Sequence, residues 1–149
     1  MFDDGPEWRF HARVVLDSFE ATRLPSWLGG GVLSRGRARG RARRAVAYSY
    51  PAVRGDEASG RRGLVGAFEA DPRRHAEVEP FTEETATGVC CGYEFRFAVA
   101  VDPDSGRATW PGPGADRATV REALAAAVRE ALAEAGREPA SLVVERDGA

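Results

Sequence analysis

The chain contains no lysine, and its only cysteines, Cys90 and Cys91, are adjacent. A disulfide framework needs spaced pairs, so this usage excludes a stapled secreted mini-domain and predicts a reduced, cytoplasmic protein. Successive strand residues point to opposite faces, so the two thiols diverge. With only His11 and His75 as further soft ligands, no metal and no cofactor is expected. Cys91 is expected in the core and Cys90 on the wetter face. Long hydrophobic runs are lacking as well. No stretch approaches the 18 apolar residues of a membrane span, and from the acidic start MFDDGPEW, which has no apolar core, no signal peptide is expected. The glycine run Gly29-Gly30-Gly31 lacks the Lys-Ser/Thr of a phosphate loop and needs only a tight turn to explain it.

What is present reads as one globular domain over residues 1–149, with 43% hydrophobic and 30% charged residues. The net charge of −2 hides an uneven distribution. Residues 1–34 hold three Arg and five acids, residues 35–75 eleven Arg and four acids, and residues 76–149 seven Arg and fourteen acids. The segment nets are therefore −2, +7 and −7. Coding bias in a GC-rich genome explains Arg in place of Lys. It does not explain RGRARGRARR, six arginines in the ten residues Arg35–Arg44.

Apolar residues fall on even positions from Trp8 to Leu16, a half-buried strand. The phase slips at Phe19 and Ala21, which predicts a bulge or the strand's end. Residues 23–34, RLPSWLGGGVLS, read as a turn or single helical turn pinned to the core. Strands are expected at 45–53 and 64–70, and residues 71–88, polar with two prolines, as a long loop. Val89 to Asp102 alternates strictly and predicts a long strand, with a turn at 102–106 and a short return at 107–110. Residues 117–135 predict the long helix. Val120, Leu124, Val128 and Leu132 recur at i, i+4, Thr119 and Glu122 fit a capping box with Asp116 as rival cap, and Gly136 stops the helix. A last short strand is expected at 142–146. Strands grouped before one helix predict an α+β fold: a curved, mainly antiparallel sheet of five to six strands against the C-terminal helix 117–135.

Two clusters carry candidate function. The first is the arginine run, expected as a loop at 35–44 in which Arg35, Arg37, Arg39, Arg41, Arg43 and Arg44 contact an anionic partner, nucleic acid or an acidic protein surface. The two RGR units resemble the core of AT-hook minor-groove arms, but Ala38 and Ala42 stand where that motif has proline, so no family is carried over. The competing explanation is a solvated loop. The second cluster is a polar sheet face of Arg9, His11, Arg13, Glu94 and Arg96. A Glu94–His11 pair there would suit acid–base work, and an ordinary cross-strand charge ladder explains it equally. The sequence therefore predicts a small, non-enzymatic binding protein. The alternatives are an adaptor, an immunity- or inhibitor-like protein or assembly subunit working through the sheet face and acidic loop 76–84, a homo-oligomer, and a small-molecule carrier or enzyme with a pocket between sheet and helix.

Overall fold

The computed structural model describes residues 6–21, 32–56, 58, 60 and 62–147, apart from the side chains of 32–34. The segment 23–34 read as a turn lies mostly outside them. The predicted alternation builds β1 (Glu7–Glu20), with Phe10, Ala12, Val14 and Leu16 buried. A register shift between Val15 and Asp17 is the bulge the sequence predicts. It returns Phe19 to the core side, where it packs on the buried cluster.

The second clear alternation builds β3 (Gly88–Ala100), whose odd residues Val89 to Val99 are all buried. It pairs antiparallel with β1, from Glu7 opposite Ala100 to Glu20 opposite Gly88. A Cβ on Gly92 would collide with the Val14 carbonyl oxygen, so only glycine fits that close approach of strands.

Helices α1 (Val32–Val53) and α2 (Gly63–Glu69) follow β1, then β2 (Arg74–Glu84) and β3, then α3 (Arg117–Glu134) and β4 (Ser141–Arg146). The sheet order is β2-β3-β1-β4, every pair antiparallel. This is the split βαβ arrangement, with α1 and α2 crossing from β1 to β2 and α3 from β3 to β4. The class is α+β, as predicted, but among the described residues the sheet has four strands and the helices number three.

Several expectations are corrected. Residues 45–53 are not a strand, and the arginine run 35–44 is not a loop; both belong to α1. The helix forms because Ala and Arg favour it and because Ala38, Ala42, Val46, Ser49 and Val53 make one buried face at helical spacing. Residues 64–70 are not a strand; helix α2 (Gly63–Glu69) takes their place, burying Val65 and Phe68 at i, i+3. Residues 71–88 are not a long loop, because 74–84 is edge strand β2, with Ala76 and Val78 turned inward. Pro80 is tolerated because β2 has a neighbour on one side only. The short return after β3 shrinks to isolated bridges, Val101 to Ala108 and Ala108 to Ala115.

Helix α3 matches its prediction closely. Val120, Leu124, Val128 and Leu132 are fully buried in one cluster with Tyr93, Phe95 and Phe97. The rival cap prevails: the Asp116 carboxylate accepts the Thr119 N–H at 2.8 Å. That bond holds the carboxyl below its ordinary pKa. Gly136 takes the left-handed conformation that ends the helix, φ +70°. Both thiols are free and buried, Cys90 included, which corrects its expected wetter position. Burial pushes the Cys91 thiol up to about 11. No helix among the described residues is long and apolar enough to cross a membrane.

Candidate polyanion-binding face

Folding the arginine run into a helix sorts its side chains into two sets. Arg35 and Arg39 lie on the flank facing the β2–β3 hairpin. Arg35 donates to the carbonyl oxygens of Thr85 at 3.2 Å and Ala86 at 3.1 Å. Arg39 donates to Glu84 Oε1 at 2.7 Å. That hydrogen bond, foremost, holds the Glu84 carboxyl below its ordinary range. These two arginines tie α1 to the hairpin and are occupied.

Arg37, Arg41, Arg43 and Arg44 point outward and are exposed. None of the four meets an acid or a carbonyl oxygen among the described residues; Arg41 rests over the Phe19 ring, 5.0 Å from its centroid. Arg37, Arg41 and Arg44 continue to Tyr48 at i, i+4, i+7, i+11, one stripe about 16 Å long. Tyr48 is 69% exposed, the most exposed large hydrophobic side chain described. Beside this stripe run Gly36, Gly40, Arg43 and Ala47 at the same spacing, so apart from Arg43 the crest of the helix carries little side-chain bulk.

The fold does not require those glycines. A Cβ on Gly36 would meet nothing within 4 Å, and one on Gly40 only the Arg44 guanidinium at 3.6 Å. Each costs roughly 1 kcal/mol of helix stability relative to alanine. Ala38 and Ala42, which stand where an AT-hook has proline, are buried against the sheet. The run therefore cannot act as an extended minor-groove arm.

On the sheet's second face four of the five polar residues predicted for it are joined or aligned. Arg13 donates to Glu94 at 2.8 Å and to Glu83 at 3.0 Å, with its guanidinium 4.1 Å from the Phe81 centroid. The conceived His11–Glu94 pair forms, at 3.3 Å. Arg96 sits between Glu77 and His11 in the cross-strand rows, and Arg9 turns aside to Glu7 at 2.7 Å. Arg13 and His11 both pair with Glu94, so the arrangement is largely an ordinary cross-strand charge ladder, although Glu79 stands opposite Glu94.

Sequence reasoning missed two features. Tyr48 falls within the strand expected at 45–53; its helical spacing from Arg37, Arg41 and Arg44 is the available signal. His75 is the other. An open cleft of about 510 Å³ at the β2 edge is lined by Arg54, Glu69, His75, Glu77 and Arg96, among others. His75 Nδ1 lies 2.6 Å from Glu69 and Nε2 3.4 Å from Glu77. Both ring nitrogens are engaged, and no group of three or more ligands suited to a metal occurs among the described residues.

No known protein family, no curated protein and no solved structure matches this chain.

Proposed function

We propose that the chain is a non-enzymatic binding protein whose α1 crest engages a polyanion, with the phosphodiester backbone of a nucleic acid as the best-suited partner. The observation that carries this is the set of four outward arginines, Arg37, Arg41, Arg43 and Arg44, with no counter-charge among the described residues. Like charges crowded on one helix face repel, and an anionic partner relieves that repulsion. A protein partner needs an apolar centre to its interface. The crest offers Gly36, Gly40 and Ala47, with Tyr48 as its sole large apolar group, so charge is its main currency. The open sheet face suits nucleic acid less. Its central strands present no aromatic platform for bases, and Glu77, Glu79, Glu83 and Glu94 line it.

The test is binding to heparin and to oligonucleotides across a salt series. Four phosphate contacts predict a slope of log K against log salt near −2.8 on single strands, about 0.7 for each contact. Replacing Arg37, Arg41, Arg43 and Arg44 together by Gln removes that slope. The same variant keeps its melting temperature within a few degrees, since surface changes outside special contacts move stability by less than about 0.5 kcal/mol. Absence of binding by the wild type at about 50 mM salt, where such contacts are strong, refutes the assignment.

A further inference from the structure

We infer that the polyanion is single-stranded nucleic acid and that Tyr48 stacks on one of its bases; this rests on the polyanion assignment above and sharpens it. Three observations converge. Tyr48 is 69% exposed and shares one helical stripe with Arg37, Arg41 and Arg44. An aromatic ring left in water at the end of a row of cations is the pairing that single-strand binders use, arginines along the backbone and a ring under a base. Second, the crest is low at Gly36 and Gly40, which have no side chain although Cβ atoms would fit there. A sugar–phosphate chain can lie directly on the helix backbone with guanidinium groups at its side. Third, α1 offers a ligand one face only. Its other face is held in its layer, with Ala38, Ala42, Val46, Ser49 and Val53 buried beneath it. Arg35 and Arg39 fasten its flank to the β2–β3 hairpin. Only the crest and the Arg37–Tyr48 stripe remain for a ligand, and a flexible strand can follow them while splaying a base onto Tyr48.

Stacking is tolerant of base identity, because every base offers a π face, so little sequence preference is expected. The arginines carry the salt dependence, and Tyr48 adds affinity independent of salt.

Fluorescence anisotropy with three labelled probes of equal length, about twelve nucleotides, within the range of known single-strand sites, separates these contributions. The probes are a single-stranded oligonucleotide, the same strand with abasic sites throughout, and the duplex. The wild type binds the base-bearing single strand at least about fivefold more tightly than the abasic strand, the lower end of what one base–aromatic stack contributes. Tyr48→Ala abolishes that difference and leaves abasic binding and the salt slope unchanged. Tyr48→Phe retains it, because phenylalanine keeps the ring. Equal binding of abasic and base-bearing strands by the wild type, or a duplex bound as tightly as the single strand, overturns the inference while leaving the polyanion assignment intact. Competition by poly-glutamate as effective as by the oligonucleotide does the same, since it shows a face that responds to charge alone. Failure of all three probes to bind overturns the polyanion assignment itself.

Discussion

Helices α1 and α3 lie in the same molecule and meet the same core, yet they are written in opposite ways. Helix α3 buries Val120, Leu124, Val128 and Leu132 and mixes Arg with Glu on its wet face. Helix α1 buries Ala38, Ala42, Val46, Ser49 and Val53, and its outward N-terminal half carries only positive charge. Both have a buried stripe at helical spacing. In α3 the stripe is large and apolar, and the outer charges can balance each other. In α1 the stripe is small, so the backbone sits close to the sheet, and the outer charges are left unbalanced. A helix maintained for packing alone has no need of the second design. It is on this difference that the proposed polyanion-binding role of α1 rests.

The sharpest way to break this comparison is to charge both buried stripes. Ala42→Asp and Leu124→Asp each bury a carboxylate without a partner, and each should cost about 3–5 kcal/mol. Were the arginine run a solvated loop, Ala42→Asp would cost less than about 0.5 kcal/mol, as surface changes do. Urea unfolding of the two variants beside Arg121→Ala, an exposed control on α3 expected to lose less than about 1 kcal/mol, decides it.

The next effect concerns Ser49, the one polar side chain that α1 buries among the described residues. Ser49 Oγ lies 2.8 Å from the Tyr93 hydroxyl and 3.3 Å from the Ala45 carbonyl oxygen, and Tyr93 also donates to the Val46 carbonyl. Ser49→Ala should cost about 1 kcal/mol, the net worth of a typical hydrogen bond, since Tyr93 keeps its other acceptor. Burial pushes the Tyr93 phenol up to about 12 from its ordinary 10.0. Between those values the unfolded chain has released the proton and the folded chain still holds it. Stability is therefore complete below pH 10.0 and falls as the pH rises through about 12. Tyr93→Phe should flatten that part of the profile, read from melting temperatures across alkaline pH. Helix α3 has no such group on its buried stripe, so its variants should not alter the alkaline limb.

The same contrast explains what could be read from the residues alone. β1 and α3 each have one buried and one wetter face, and β3 sets large odd side chains against small or polar even ones, so periods of two or of 3.6 appear directly in the hydrophobic pattern. Helix α1 hides its period because Ala38, Ala42 and Ser49 are too small to stand out among arginines that recur at every second position. β2 is an edge strand with Ala76 and Val78 as its buried residues; Glu77 and Glu79 between them gave it the look of a polar loop. Seven-residue α2 fits either period, and its burial at Val65 and Phe68 becomes visible only once packed against Phe97 and Trp110. Of the candidate site, the arginines were visible as a cluster. Their division into two tethers and four outward cations was not, because it depends on where the β2–β3 hairpin lies. Tyr48 was hidden by the strand assigned to its segment.

The smallest effect probes why α1 tolerates helix-weakening residues that α3 avoids. Gly36 has negative φ and open space where a Cβ would stand, so alanine fits without strain. Gly36→Ala should raise stability by about 0.5–1 kcal/mol, through helix propensity and a less flexible unfolded chain. The same methyl group stands on the bare crest, between the backbone and a bound strand. The variant should therefore melt a few degrees higher and bind the single strand more weakly, with the salt slope unchanged because no arginine is lost. Gain in stability with loss of binding is the signature of a glycine kept for a ligand. A Gly36→Ala protein that melts higher and binds as before would show that the bare crest plays no part in recognition, and would leave the four arginines and Tyr48 as the whole of the face.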